Sequence, residues 1–154
     1  MDLDLSIARI EEAARTIDPV FLNTPQYADT QLSAALGRNV VVKVETANPL
    51  RSFKGRGAEF LMARLGVGAD GPTVVCSSTG NFGQAVAYAG RRRNIRVEVF
   101  VPENVNPVKL ARMRAFGASV TLAACGRHWS KSVGSSQLSV VITSEQQLPT
   151  ATAY

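Results

Sequence analysis

The chain lacks the features that would mark a membrane, metal or disulfide protein. Its 154 residues contain no apolar run near the ~20 that a spanning helix needs. Cysteine is scarce: only Cys76 and Cys125, in unrelated contexts and without a metal-ligand spacing. There is one histidine and one tryptophan, and both fall after residue 124. The start, Met1-Asp2-Leu3-Asp4-Leu5, is acidic and has no basic stretch leading into an apolar one, so it does not read as a secretory signal. A cytoplasmic location with free thiols is the expectation. No repeat of solenoid spacing occurs. Aromatic residues make up 6% of the chain, and none interleaves with its densest basic cluster, Arg91-Arg92-Arg93. The net charge of +5 therefore reads as a solvated helix end with a bias toward anionic ligands, not as a nucleic-acid surface. No nucleic-acid or membrane partner is expected.

What is present is an alternation of short β-branched runs with helical spacing. The pattern predicts a helix over 5–16, with Ile7, Ile10, Ala14 and Ile17 on one face. An extended stretch lies between Pro19 and Pro25, and a short helix spans 30–36 before Gly37. A strand follows at 40–45, then a helix opening near Lys54 and fading through Gly66 and Gly68. Asp70-Gly71-Pro72 is a turn. Beyond it come a strand at 73–76, a helix at 82–92, a strand at 96–101, a helix from Pro107 to Phe116, and a strand at 119–122. Strands alternating with helices of this length imply βαβ units: an α/β fold with a parallel twisted sheet and flanking helices.

Two segments carry chemistry. Ser52-Phe53-Lys54-Gly55-Arg56-Gly57-Ala58 places a lysine where an extended segment becomes a helix. An amine at such a junction can project into a cleft and form an imine with a carbonyl, provided desolvation or a neighbouring cation lowers its pKa. Arg56 is the candidate cation. The second segment is Ser77-Ser78-Thr79-Gly80-Asn81-Phe82-Gly83-Gln84. It follows a short apolar strand and opens a helix, so unpaired backbone N–H groups there can hold an anion.

Together, in this order, the two segments resemble the signatures of the pyridoxal-phosphate enzymes of the tryptophan-synthase-β fold type (fold-type II). The threonine/serine dehydratases and serine racemases are the most similar members. The resemblance covers roughly residues 15–124. It implies that Lys54 is the catalytic residue, carrying pyridoxal 5'-phosphate covalently and moving protons at the substrate α-carbon. It implies that Phe53 packs beside the cofactor ring and that Asn81 hydrogen-bonds the ring hydroxyl. Ser78, Thr79, Gly80 and the backbone of Phe82 would grip the substrate carboxylate. Many dehydratases have histidine where this chain has Phe82, and Ser-Thr-Gly-Asn also occurs in threonine-synthase-like relatives. The resemblance gives Gln84 and Arg51 no role. It implies no metal, a small amino-acid substrate, and a homo-oligomer in full-length relatives.

The implied reaction is an ammonia-lyase elimination, turning serine or threonine into a keto acid and ammonia. Two alternatives stand beside it: a pyridoxal-phosphate-dependent β-replacement enzyme, like threonine synthase or cysteine synthase, and a non-catalytic phosphate- or nucleotide-binding α/β module. For the latter, residues 73–92 contain only Gly80, Gly83 and Gly90 and form neither Gly-x-Gly-x-x-Gly nor Gly-Lys-Ser/Thr.

The expected organisation is an opening part of a large domain at 1–70, most of a small α/β domain at 71–124, and an atypical tail at 125–154. The tail is rich in Ser, Thr and Gln and has Glu145 as its only acid. It is expected to be foreign to the fold or disordered, with Val140 to Thr143 able to pair as a stray strand. No Gly-Gly-Gly run follows residue 124, and Gly126 and Gly134 do not replace one. The glycine loop for the cofactor phosphate and the partner of the pyridine nitrogen are thus expected to be missing, and the chain to be inactive by itself.

Overall fold

Two sheets organise the chain, in a computed structural model that describes residues 6–123 and 139–143. The first sheet is a small antiparallel ribbon of β1 (Gln26–Ala28) and β2 (Val41–Lys43), with Tyr27 opposite Val42. The second has four parallel strands in the order β5-β4-β3-β6, where β3 is Thr73–Ser77, β4 Val97–Pro102, β5 Ser119–Ala123 and β6 Ser139–Thr143. The run at 140–143 thus pairs after all, with Val141 opposite Val75. The rest of the expected tail lies outside the described residues.

The α/β reading holds element by element from α3 (Lys54–Arg64) through β3, α4 (Asn81–Arg92), β4, α5 (Pro107–Ala115) and β5. Stop signals act as the physics requires. α2 (Thr30–Leu36) starts on an Asp29 cap and ends at Gly37, whose φ of +62° suits a residue without a Cβ. Asn106 caps α5 just ahead of Pro107, accepting from the N–H of Val108 at 2.9 Å.

Close approach fixes α4 on the sheet. A Cβ at Gly90 would overlap the Val97 side chain. One at Gly83 would sit 3.0 Å from Met113 Cε and 3.1 Å from Val99 Cγ1. The two glycines are seven residues apart and share a helix face, so α4 lies tight against β4. α3 packs in turn on α4, and it buries one stripe, Gly55, Ala58, Glu59 and Met62, with Gly55 set against Phe21 and Leu50.

Four expectations fail here. Pro19–Phe21 is a 3-10 turn, not extended, because Asp18 caps it by accepting from the Val20 N–H at 3.0 Å and Pro19 occupies its first position. The expected strand at 40–45 stops at Lys43, since Glu45–Ala47 winds into another 3-10 turn. On α1 (Ile7–Thr16) the anticipated apolar face is not buried: Ile7 is 76% and Ile10 62% exposed, and only Ile17, just past the helix, enters the core. Docking runs instead through Ile17 and an Arg64–Glu12 contact of 3.4 Å. Finally, the arginines at the end of α4 are not a solvated helix end. Arg93 and Arg92 reach the fully buried Glu59 at 2.8 and 3.4 Å, Arg92 also meets Asp18 at 3.2 Å, and Arg91 donates to the Ala115 carbonyl.

In β3, the central strand, Val74, Val75 and Cys76 are all buried. Burial pushes the Cys76 thiol up from 9.0 to about 12. A thiol so raised contributes stability in full below pH 9 and loses it as pH climbs toward 12. Cys76 should therefore resist iodoacetamide at neutral pH until the sheet opens, then react at the rate of unfolding. Peptide-resolved mass spectrometry over a urea series checks this; prompt labelling in water would show β3 to be less protected than described.

Among the described residues no helix is long and apolar enough to cross a membrane, and no His/Cys/Asp/Glu group could hold a metal ion.

Candidate functional site

Lys54 is the first residue of α3, and Phe53 directly before it serves as the cap position with helical backbone angles. The amine does not project into a cleft of the described residues. It is exposed, with Nζ 4.8 Å from the centroid of the Phe53 ring, which is itself 61% exposed. The amine lies over the face of this exposed aromatic ring, in a cation–π contact.

Arg56 is not the neighbour that tunes this amine. Its guanidinium is engaged by Glu45 at 2.9 Å and Thr24 at 3.4 Å, so its charge is already matched. That arrangement ties the first turn of α3 to the segment after β2.

The second segment is built as its residue types suggest. Ser78 Oγ accepts from the N–H of Gly80 at 3.3 Å and of Gly83 at 3.0 Å, capping α4 from two residues before Gly80. The N–H groups of Asn81 and Phe82 lie in the first turn and have no partner within the helix. Thr79 and Asn81 are exposed, while Phe82 packs part of its ring against the core. Gln84, left without a role by the resemblance, is buried. Its Nε2 lies 3.4 Å from both the Gly80 carbonyl and Asn81 Oδ1, and its Oε1 has no partner. It braces the loop from beneath and orients Asn81.

One face of α5 meets both segments. Lys109 Nζ lies 3.8 Å from where a side chain on Gly80 would begin. Three residues on, Arg112 Nη2 donates to the Pro49 carbonyl at 2.6 Å, in the turn leading to Lys54. Neither Lys109 nor Arg112 was marked by the sequence, because nothing local distinguishes them from other helix-surface cations. Asn48 was likewise not singled out.

The sequence pattern of the family described as "Pyridoxal-phosphate dependent enzyme" matches residues 17–141. The chain belongs to this family. It is 33% identical over 129 residues to the biosynthetic L-threonine dehydratase IlvA of Lactococcus lactis, covering 83% of this chain and 31% of that protein. It is 32% identical over 117 residues to a serine racemase of Dictyostelium discoideum, covering 75% and 36%. The solved structure of serine racemase from Dictyostelium discoideum superposes with a TM-score of 0.65 at 29% identity, over 79% of this chain and 39% of that one. The chain thus spans about a third of the length of the relatives it matches, and the family resemblance read from residues 52–58 and 77–84 is established.

The cofactor implied by this membership fits the described residues in part. Phe53 and Lys54 present an aromatic face and an amine together, and Asn81 is exposed at the positive end of α4. For the phosphate the sequence offers no glycine run: no two glycines are adjacent anywhere. Gly66-Val67-Gly68-Ala69-Asp70-Gly71 has the letters of a dinucleotide fingerprint, but it follows helix α3 and precedes strand β3, the reverse of the order that fingerprint needs.

Proposed function

We propose that the chain carries the lysine and carboxylate-loop portion of a pyridoxal-phosphate-dependent ammonia-lyase acting on a small β-hydroxy amino acid, serine or threonine. The observation that carries this reading is the double attachment of α5: one helix face contacts the turn before Lys54 and approaches the Gly80 loop.

In this reading the cofactor, when bound, supplies an electron sink for charge developing at the substrate α-carbon. Lys54 Nζ is the covalent anchor and afterwards the base that takes the α-proton. Phe53 would pack beside the cofactor ring, and Asn81, within 3.4 Å of Gln84 Nε2, would hold its hydroxyl. Ser78, Thr79, Gly80 and the N–H groups of the first turn of α4 hold the substrate carboxylate. The β-hydroxyl then leaves with a proton as water, and the enamine so formed is released, tautomerises to an imine and is hydrolysed by water to the keto acid and ammonia.

We also propose that these 154 residues turn over little substrate by themselves. Without a glycine cradle the phosphate forgoes several charge-assisted hydrogen bonds, each worth about 1.5–3 kcal/mol. The reading is tested by supplying pyridoxal 5'-phosphate and then serine or threonine, and measuring keto acid and ammonia. Cofactor retention without product is the expected result. Steady turnover would overturn the proposed inactivity. Binding of ATP or NAD in calorimetry, with none of pyridoxal phosphate, would favour the nucleotide-binding alternative.

A further inference from the structure

We propose that Asn48 is a positioning residue for Lys54, an inference that rests on the function proposed above. Asn48 is 5% exposed, and its amide uses its donors and acceptors within one turn. Its Oδ1 accepts from the N–H of Leu50 at 2.9 Å and of Ser52 at 3.4 Å. Its Nδ2 donates to the Ser52 carbonyl at 3.0 Å and to Glu45 Oε2 at 3.2 Å. Both peptide groups of Ser52 are therefore bound to one side chain. Ser52 Oγ then accepts from the Lys54 N–H at 3.3 Å.

These bonds form an unbroken relay from Glu45 through Asn48 and Ser52 to the backbone of Lys54. The other oxygen of Glu45 holds Arg56 on the first turn of α3. The helix start is thus braced from both sides of the lysine. Arg51, inside the turn, has a φ of +53°, a left-handed conformation that a residue with a Cβ rarely adopts. Such a residue persists where its surroundings over-determine the backbone, and the Asn48 amide supplies that constraint. The turn is also docked from outside, by Arg112 on the Pro49 carbonyl. An exposed lysine on an ordinary helix start would need none of this. The consequence of the bracing is a fixed backbone at the helix start, from which the Lys54 side chain departs beside the Phe53 ring.

The sequence holds four lysines, Lys43, Lys54, Lys109 and Lys131, which makes a direct test available. Wild-type chain is incubated with pyridoxal 5'-phosphate, reduced with borohydride and mapped by mass spectrometry, and the Lys54-to-Lys43 ratio of label is the readout. The wild type should favour Lys54. Asn48→Ala should lower the ratio about tenfold, as expected when hydrogen bonds that hold the turn before Lys54 are lost. Asn48→Ser keeps an acceptor for the Leu50 N–H, puts no new charge beside Glu45, and should recover part of the preference. Should Asn48→Ala fail to fold by circular dichroism, Asn48→Ser is compared with wild type instead, and an unchanged ratio counts against the inference. Asp29→Ala removes a comparable helix cap from α2 and should leave the ratio unchanged. An unchanged ratio in folded Asn48→Ala, or an equal fall in Asp29→Ala, would overturn the inference while leaving the proposed function standing. No preference for Lys54 in the wild type would overturn both.

Discussion

Glu59→Ala should cost about 3–5 kcal/mol of folding stability, the range seen when one partner of a buried ion pair is removed. Glu59 is wholly buried on α3. Its Oε2 receives Arg93 at 2.8 Å, Arg92 at 3.4 Å and the Asp18 N–H at 3.3 Å. Arg92 is exposed enough to turn to water, but the Arg93 side chain is only 16% exposed and would be left uncompensated. The Asp18 N–H would lose its acceptor as well. Glu59 Oε1 has no partner, so the native arrangement already carries an unsatisfied buried oxygen. Glu59→Gln should therefore be much milder than alanine, since it keeps the volume and one acceptor. Urea unfolding followed by far-UV circular dichroism gives both values; a loss under about 1 kcal/mol for alanine would show the cluster to be solvated.

Phe21→Ala should be comparably damaging, at about 3–5 kcal/mol. The ring is fully buried and meets Tyr88 edge-on, with centroids 5.4 Å apart; Tyr88 meets Phe116 the same way at 5.5 Å. It is also the floor under the start of α3, since a Cβ on Gly55 would overlap it. Removing the ring opens a cavity beneath the residue next to Lys54. The expected result is a lower urea midpoint with little change in slope, together with weaker retention of pyridoxal phosphate. Undiminished retention by folded Phe21→Ala would show that the Lys54 turn does not depend on this floor.

The same neighbourhood explains what the sequence made legible. Strands and helices from Lys54 to Ala123 were readable because period and punctuation agree there: β-branched runs, Pro107 at a helix start, Gly117 just past that helix. The first 50 residues were harder. Tyr27 and Val41 in the β1–β2 ribbon are largely exposed, so three-residue strands left no alternating pattern to find. The face of α1 was misread because periodicity reports which residues are apolar, not whether anything lies against them.

At the site, residue types were legible and partners were not. Lys54 and the Ser78–Gly83 loop stood out by motif. Arg56 looked like a cation for the lysine, yet Glu45, eleven residues earlier, takes its charge. Asn48, Gln84, Lys109 and Arg112 act through contacts that depend on the folded chain, and a single sequence carries no trace of them.

The central claim is that Lys54 is the amine that captures pyridoxal 5'-phosphate. It is met most directly by borohydride trapping on wild-type chain and Lys54→Ala, followed by peptide mapping. The expected result is one dominant adduct, on the peptide containing Lys54, with stoichiometric capture lost in Lys54→Ala. Equal labelling of all four lysines, or unchanged capture after the substitution, would contradict it.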